Sequence, residues 1–351
     1  MKVSLYLEFR AFLGGRLYKN IGTGLLSSYK NQKLAMDHMG VSYTEGWDDS
    51  CDILQINTPF LYSIYLMKKA RRKGKKVTVW AHLTAEEISL VFRFVPLVAP
   101  LLKKYLTYAY GLADLIFAPT EYTRGILTNY GLSANKIVVR SNAVNLKKFY
   151  KSPALRKSGR AKFGLKSLVV GTAALVIPRK GMVTFLDLAK IFPDNQFVWF
   201  GNKYSSLIVE PLPKNLPPNS SFPGFVEQVN EALNSMDIFL FPSKEENEGM
   251  AILEAAAVGL PILVRDIPVY QGWLKHGVNC LKASTDEEFE KYLKELIENK
   301  SLREKLGQNA KILAQEKSLE TIAPKTLLEY EKLLLADLAP QNTAQKNPVE
   351  I

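Results

Sequence analysis

Short apolar runs recur along the chain, each separated from the next by a stretch long enough for a helix. In the first half they fall at 3–7, 53–57, 77–81, 115–119 and 137–140; in the second they fall at 168–171, 197–201, 238–241 and 262–264, with a weaker one at 279–281. Strands that alternate with helical stretches predict parallel βα units. The two series predict an α/β chain of two doubly wound, Rossmann-like domains, 1–150 and 151–319. Two such domains facing one another create a deep cleft, where small ligands usually bind. The stretch KSPALRKSGRAKFGLK at 151–166, rich in Lys, Ser and Gly with one Pro, reads as the linker between them. A helix at about 320–338 is expected to pack back on the first domain, and the polar tail 340–351 to be disordered.

Composition permits this picture and narrows the compartment. At 351 residues the chain can hold two cores, and 47% hydrophobic with 23% charged residues is ordinary for a soluble globular protein. Cys51 and Cys280 are the only cysteines, which suggests no disulfide framework and fits a reducing compartment. The apolar run 3–7 meets Glu8 and Arg10 at once, so it reads as a first strand and not as a signal peptide. No stretch reaches the roughly 18 to 20 apolar residues of a spanning helix.

Charge is distributed unevenly. Residues 1–150 carry 21 Lys and Arg against 10 Asp and Glu, a net of +11, whereas the remaining residues carry 25 against 24, a net of +1. A lopsided surplus of this kind points to an anionic surface facing the first domain. Two segments favour a membrane. MKKARRKGKK at 67–76 packs Lys68, Lys69, Arg71, Arg72, Lys73, Lys75 and Lys76 into ten residues, and near anionic lipid each gains on the order of 1 kcal/mol. ISLVFRFVPLVAPLLKKYLTYAYG at 88–111 is strongly apolar but interrupted by Arg93, Pro96, Pro100, Lys103 and Lys104. That pattern suits a helix, or two short pieces, lying in the interface with Phe92, Phe94, Leu97, Leu101 and Leu102 toward acyl chains. A core or interdomain helix is the competing interpretation. Nucleic acid is not expected as a partner, since no binding motif accompanies the basic run.

The densest chemistry lies in DIFLFPSKEENEGMAILEAAAVG at 237–259. A buried strand, a polar loop and a small-residue helix starting near Gly249 place Glu246, Glu248 and Glu254 around a strand-to-helix junction. In open α/β sheets such junctions line the ligand crevice. A carboxylate there accepts hydrogen bonds from sugar hydroxyls, and the free amides near Glu248, Gly249 and Met250 favour a phosphate. Glu254 lies in an apolar setting, AILEAAAVGLPILV, where a lone carboxylate is costly without partners.

The segment PSKEENEGMAILEAAAVGLP resembles the signature of the retaining GT-B glycosyltransferases of family 4: an acidic residue, seven intervening residues and a second acidic residue, met here by Glu246 and Glu254. ADLIFAPTEYTRGIL, VVRSNAVNLKKF and VIPRKG resemble further segments of that family in the same order. The resemblance implies the GT-B fold, a UDP-sugar donor with no metal or other cofactor, Glu254 on the donor's ribose, Glu246 on its sugar, and Arg179 and Lys180 on the diphosphate. Cations aimed at the phosphates lower the barrier to departure of the nucleotide. The chain departs from the pattern at Glu248, where many members carry an aromatic residue, and at Leu175, where many carry an additional arginine.

In the first domain, KNIGTG at 19–24 offers Gly22 and Gly24 for close approach of a phosphate or acceptor; a plain turn is the simpler reading. His82 follows the third strand and would point into the cleft, toward the donor hexose or the acceptor, as the corresponding histidine is thought to do in the family. A buried structural histidine is the alternative. Asp48, Asp49 and Asp52 read as a surface loop and not as a metal site. RDIPVYQGW at 265–273, MKVSLYLE and QINTPF narrow the resemblance to bacterial enzymes that add a hexose to monoglucosyl-diacylglycerol, making the glycolipid anchor of lipoteichoic acid. The resemblance thus implies UDP-galactose or UDP-glucose as donor, galactose favoured, a glycolipid acceptor, and an enzyme docked on the anionic cytoplasmic face of the membrane. Other readings are transfer to diacylglycerol or to a polyprenyl-linked or polysaccharide acceptor, or a catalytically silent sugar-nucleotide-binding subunit.

Overall fold

The structure is a computed structural model that describes residues 1–8, 24–90, 95–203 and 212–336; of residues 95–98 it describes the backbone alone. Gly22, Phe92, Arg93, Phe94 and the tail 340–351 lie outside the described residues, as does the Leu97 side chain.

The first domain is built from β1 (Lys2–Tyr6), α1 (Gly24–His38), β2 (Ser42–Glu45), β3 (Ile53–Ile56), α2 (Leu61–Arg72), β4 (Lys76–Trp80), α3 (Ala85–Ser89), α4 (Val95–Gly111), β5 (Leu115–Ala118), α5 (Glu121–Asn129) and β6 (Ile137–Val139). Its six strands pair in parallel in the order β2-β1-β3-β4-β5-β6. The second domain follows with α6 (Pro153–Phe163), β7 (Val169–Ala173), α7 (Met182–Ile191), β8 (Gln196–Phe200), β9 (Ser220–Gly224), α8 (Val229–Ser235), β10 (Ile238–Phe241), α9 (Met250–Val258), β11 (Ile262–Arg265), β12 (Leu281–Ala283), α10 (Asp286–Glu298) and α11 (Lys300–Glu316). Its sheet is again six parallel strands, in the order β12-β11-β10-β7-β8-β9. The central strands are buried on both faces, as parallel sheets covered by helices must be.

The last described helix, α12 (Leu319–Leu335), returns to the first domain. Tyr330 donates its hydroxyl to Gln55, and Glu329 pairs with Arg140 at 3.6 Å. The crossover at 141–144 is tied to both ends of this return: Val144 N–H donates to Lys317 O at 2.9 Å, and Leu319 N–H to Val144 O at 3.0 Å. Ala143 takes a left-handed backbone with φ 60°, and Asn31 Nδ2 holds its carbonyl at 2.9 Å.

Three expectations need correction. The stretch 151–166 is mostly the helix α6: Ser152 Oγ accepts from Leu155 N–H at 3.3 Å, Pro153 stands at the first helical position, and Gly164 ends the helix at φ 66°. Ser, Pro and Gly are helix-boundary residues in this order. Arg156 and Arg160 anchor that helix to Asp237 at 2.6 and 3.0 Å. The weak run at 279–281 is displaced to β12, because Asn279 uses its side chain in a loop, accepting from Lys275 N–H at 2.8 Å and donating to Trp273 O at 3.0 Å. The edge strands β2 and β9 have the sequences SYTE and SSFPG, too polar to stand out as apolar runs.

Candidate functional site

The second domain's contribution forms where β10 ends. The 3₁₀ turn Pro178–Lys180 lies against Pro242 and Ser243, and Gly181 makes this possible. Its φ is 81°, and a Cβ there would stand 2.2 Å from Pro242 O. Lys244 N–H donates to Arg179 O at 2.8 Å. The two cations are thereby fixed over the loop that carries Glu246.

Glu246 is buried, and one oxygen of its carboxylate, Oε1, gathers three donors: Lys180 Nζ, Ser243 Oγ at 2.6 Å and Arg179 Nη1 at 3.5 Å. Burial alone would raise its pKa, but the adjoining Lys180 and Arg179 charges win and lower it. Lys180 is pushed down by its own burial and by Arg179, with Glu246 opposing. Its ammonium also lies 5.1 Å from the Phe241 ring centroid. The cluster is a preorganised pair of cations with a carboxylate, at the carboxyl end of a parallel sheet.

Gly249 opens α9 at φ 92°, and Met250 begins the helix. The α1 amino terminus of the first domain faces it: a Cβ on Gly24 would come 3.5 Å from Met250 Cγ. The amino termini of α1 and α9 thus meet in one region, where their dipoles favour negative charge. Glu254 lies one turn into α9 and is buried; desolvation raises its pKa to about 7 against the opposing effects of Lys148 and a hydrogen bond from Ser27. Its partners come from outside α9: Ser27 on α1 and Lys148 after the crossover.

His82 sits at the end of β4 as expected. Its ring stacks on Trp80 with centroids 5.9 Å apart, and Nε2 meets Asn57 Oδ1 at 3.3 Å. Burial depresses its pKa to about 3, so the imidazole is neutral. Its carbonyl accepts from Asn247 Nδ2 at 2.9 Å, which places the histidine beside the loop that carries Glu246.

Several residues of the site were not legible from the sequence. Glu87 on α3 reaches across the cleft to Arg179 Nη2 at 3.0 Å and accepts from Asn247 Nδ2. Asn247 O accepts from Thr120 and Thr123 at 3.1 and 3.3 Å. Glu248, expected to face the donor, is engaged elsewhere. It is 2% exposed, accepts from Asn142 N–H and Nδ2 at 2.8 and 2.9 Å, and pairs with Lys317 at 3.3 Å. The carboxylate at the position where an aromatic residue is common therefore fastens the loop after β10 to the crossover. The one sequence signal for Glu87 was the TxxE spacing from Thr84, which marks a helix start and not a site. Leu175 is half-buried.

The basic run is less free than its composition suggests. Arg71 pairs with Asp114 at 3.1 Å and Lys73 with Asp49, while Lys68 and Lys69 lie 5.4 and 4.7 Å from the ring centroids of Tyr108 and Trp47. Arg72 is exposed, Lys75 is half-buried, and Lys76 is half-buried on β4. Cations at a helix carboxyl end complement its dipole, which accounts for part of the cluster. Asp48 pairs with the Lys2 ammonium, Asp52 accepts from the Lys2 backbone N–H at 2.7 Å and Asp49 pairs with Lys73, so the three carboxylates of the DDSCD loop do not converge on one point.

Of the apolar segment, Ile88 and Ser89 end α3 and 95–111 form α4, which runs through Pro100. Leu102 packs inward while Leu101, Lys103, Lys104 and Tyr108 are exposed, with Leu101 at 66%. Lys103 Nζ lies 5.1 Å from the Tyr130 ring centroid. Leu61, Tyr62 and Tyr65 of α2, not anticipated, are exposed at 77%, 51% and 53%. Tyr105 Oη donates to Pro59 O at 2.8 Å and joins α4 to the start of α2. Among the described residues no helix is long and apolar enough to cross a membrane.

Residues 156–313 match the model of the glycosyl transferases group 1, and residues 39–148 that of glycosyltransferase family 4. The chain is 30% identical over 342 residues to the processive diacylglycerol alpha-glucosyltransferase of Acholeplasma laidlawii, covering 95% of this chain and 99% of that protein. It is 27% identical over 336 residues to the alpha-galactosylglucosyldiacylglycerol synthase of Streptococcus pneumoniae, covering 90% and 87%. Anabaena HepE in complex with UDP-glucose superposes with a TM-score of 0.73 at 16% identity, covering 95% of this chain and all of that one. Sucrose-phosphate synthase from Thermosynechococcus elongatus superposes at 0.75 with 13% identity and 96% of this chain covered. These structural likenesses establish the GT-B architecture.

Proposed function

The chain belongs to the family 4, group 1 glycosyltransferases and is a sugar transferase, and from that premise we propose that it moves a hexose from a UDP-sugar onto monoglucosyl-diacylglycerol. The observation that carries the proposal is the Arg179–Lys180–Glu246 cluster, linked to His82 through Glu87 and Asn247. The diphosphate would lie on Arg179 and Lys180 near the α9 amino terminus, where negative charge developing on the leaving nucleotide is met by fixed cations. Glu254 would accept the ribose hydroxyls and Glu246 orient the sugar. Neutral His82 would hydrogen-bond the hexose or the acceptor. The acceptor hydroxyl attacks the face from which UDP departs, giving retention of configuration, and the site calls for no metal or other cofactor.

UDP-glucose as donor is supported by the Acholeplasma relative, whose name specifies glucosyl transfer to diacylglycerol. UDP-galactose, favoured by the sequence segments, is supported by the pneumococcal relative. For the lipid, the outward face of α2 and α4 brings Leu61, Tyr62, Tyr65, Leu101 and Tyr108 together with Lys103 and Lys104, an interfacial combination. This face supports the reading of an enzyme that works peripherally on the anionic cytoplasmic face of a bacterial membrane, its diglycosyl lipid product suited to anchoring lipoteichoic acid.

The test is transfer from radiolabelled UDP-glucose or UDP-galactose to diacylglycerol or monoglucosyl-diacylglycerol in anionic vesicles, with the product lipid separated by chromatography. A labelled diglycosyl lipid from one donor is expected. Donor hydrolysis with transfer to neither lipid would redirect the acceptor toward a polyprenyl-linked or polysaccharide substrate.

A further inference from the structure

Glu87 has an unusual position for a residue of its kind. Its backbone N–H is capped by Thr84 Oγ1 at 3.2 Å, the arrangement of a capping box, in which the glutamate side chain ordinarily turns back to the cap's own amide. Here the carboxylate crosses to the second domain. Oε1 lies 3.0 Å from Arg179 Nη2, and Oε2 accepts from Asn247 Nδ2. Arg179 is 7% exposed and Glu87 is half-buried, so the pair is shielded from most solvent.

Arg179 and Lys180 face Glu246 and Glu87, with Glu245 also near Arg179. Glu246 takes its donors from the second domain itself, through Lys180, Arg179 and Ser243, whereas Glu87 enters from the first. A diphosphate on Arg179 would bring several negative charges against Glu87 in a low-dielectric site, where like charges repel strongly. The diphosphate thus competes with Glu87 for the guanidinium, which Glu246 also contacts at 3.5 Å. Burial raises the pKa of Glu87 and Arg179 opposes that rise, so its ionised form depends on this partner.

Building on the donor site assigned above, we propose that Glu87 is a displaceable counter-ion: it holds Arg179 in the closed arrangement and yields it to the donor's diphosphate, moving helix α3 as it leaves. Glu87 is therefore a positioning residue that acts through Arg179. Helix α3 packs on α4, the helix whose outer face carries Leu101 and Tyr108, so donor occupancy is felt at the surface assigned to lipid.

The test combines two measurements on the full chain. Titration calorimetry with UDP compares the wild type with Glu87→Gln and Glu87→Ala; both variants should bind about tenfold more tightly, a free-energy change of about 1.4 kcal/mol. Hydrogen exchange on the wild type should show faster exchange with UDP at the amides of Ile88 and Leu90, which bond to Thr84 O and Glu87 O at 3.2 Å each. A strut that merely braces the closed form behaves oppositely. Equal or weaker UDP binding by the variants, or unchanged exchange at α3 in a UDP-saturated wild type, overturns the proposal. A wild type that binds no UDP removes the donor site itself and takes the proposal with it, a result distinct from the other two.

Discussion

Replacing Glu248 with alanine should loosen the seam between the two domains while leaving both sheets intact. The carboxylate is buried, takes hydrogen bonds from Asn142 N–H and Nδ2 at 2.8 and 2.9 Å, and neutralises Lys317 at 3.3 Å. Alanine orphans two donors, each worth about 1–3 kcal/mol when left unsatisfied in the interior. It also strips the counter-ion from Lys317, and breaking a buried pair costs about 3–5 kcal/mol. Lys317 keeps 18% of its side-chain surface exposed and lies 5.0 Å from the Trp273 ring centroid, so water and the ring offset part of that loss. The expected destabilisation is about 3 kcal/mol for Glu248→Ala. Glu248→Gln can turn its amide oxygen to Asn142 but presents an NH2 group to Lys317, which loses its acceptor and counter-ion, for about 1 kcal/mol. Urea unfolding followed by tryptophan fluorescence, paired with calorimetry to resolve the two domains, gives both numbers. An alanine variant within about 0.5 kcal/mol of wild type, the range of ordinary surface substitutions, would refute the assignment of Glu248 as the fastening.

Other expectations follow from the same geometry. Glu254 has a folded-state pKa raised to about 7, so the folded protein binds the proton more tightly than the unfolded chain, and this group's contribution to stability falls as pH rises from about 4.5 to about 7. A ribose needs the ionised carboxylate as acceptor. UDP-glucose affinity should thus rise between about pH 6 and about pH 8 and lose that dependence in Glu254→Gln, as read by calorimetry. Gly181→Ala would force a Cβ to 2.2 Å from Pro242 O at φ 81°, displacing Arg179 and Lys180; a loss of about 2 kcal/mol or more in unfolding free energy, together with transfer activity, is expected. Changing Leu101, Tyr62 and Tyr65 together to serine should reduce vesicle co-sedimentation by about 1 kcal/mol per side chain. Neutralising Arg71 and Lys73, already paired with Asp114 and Asp49, should change vesicle binding far less.

How far the sequence carried depended on what each residue answers to. The central strands were legible because burial on both faces leaves continuous apolar runs, whereas β2 and β9 stand at sheet edges and carry Ser, Thr, Glu and Pro. Helix α6 was hidden by its own boundary signals, since Ser152, Pro153 and Gly164 mark helix ends and loops alike. The meeting of Lys180 and Glu246, 66 positions apart, followed from family resemblance and not from spacing. Nothing local could reveal Glu87 against Arg179, because the TxxE spacing around Thr84 is satisfied by a helix cap alone. The basic run was counted correctly, but its partners Asp49, Asp114, Tyr108 and Trp47 come from elsewhere in the fold. Charge counts do not record such partners.

The central claim is that a nucleotide diphosphate rests on Arg179 and Lys180 between the two sheets. Titrating UDP-glucose into the wild type and into Lys180→Ala tests it most directly. The account predicts saturable one-site heat in the wild type, weakened at least about tenfold in the variant. Heat indistinguishable from buffer dilution in the wild type, or identical isotherms for the two proteins, would contradict it.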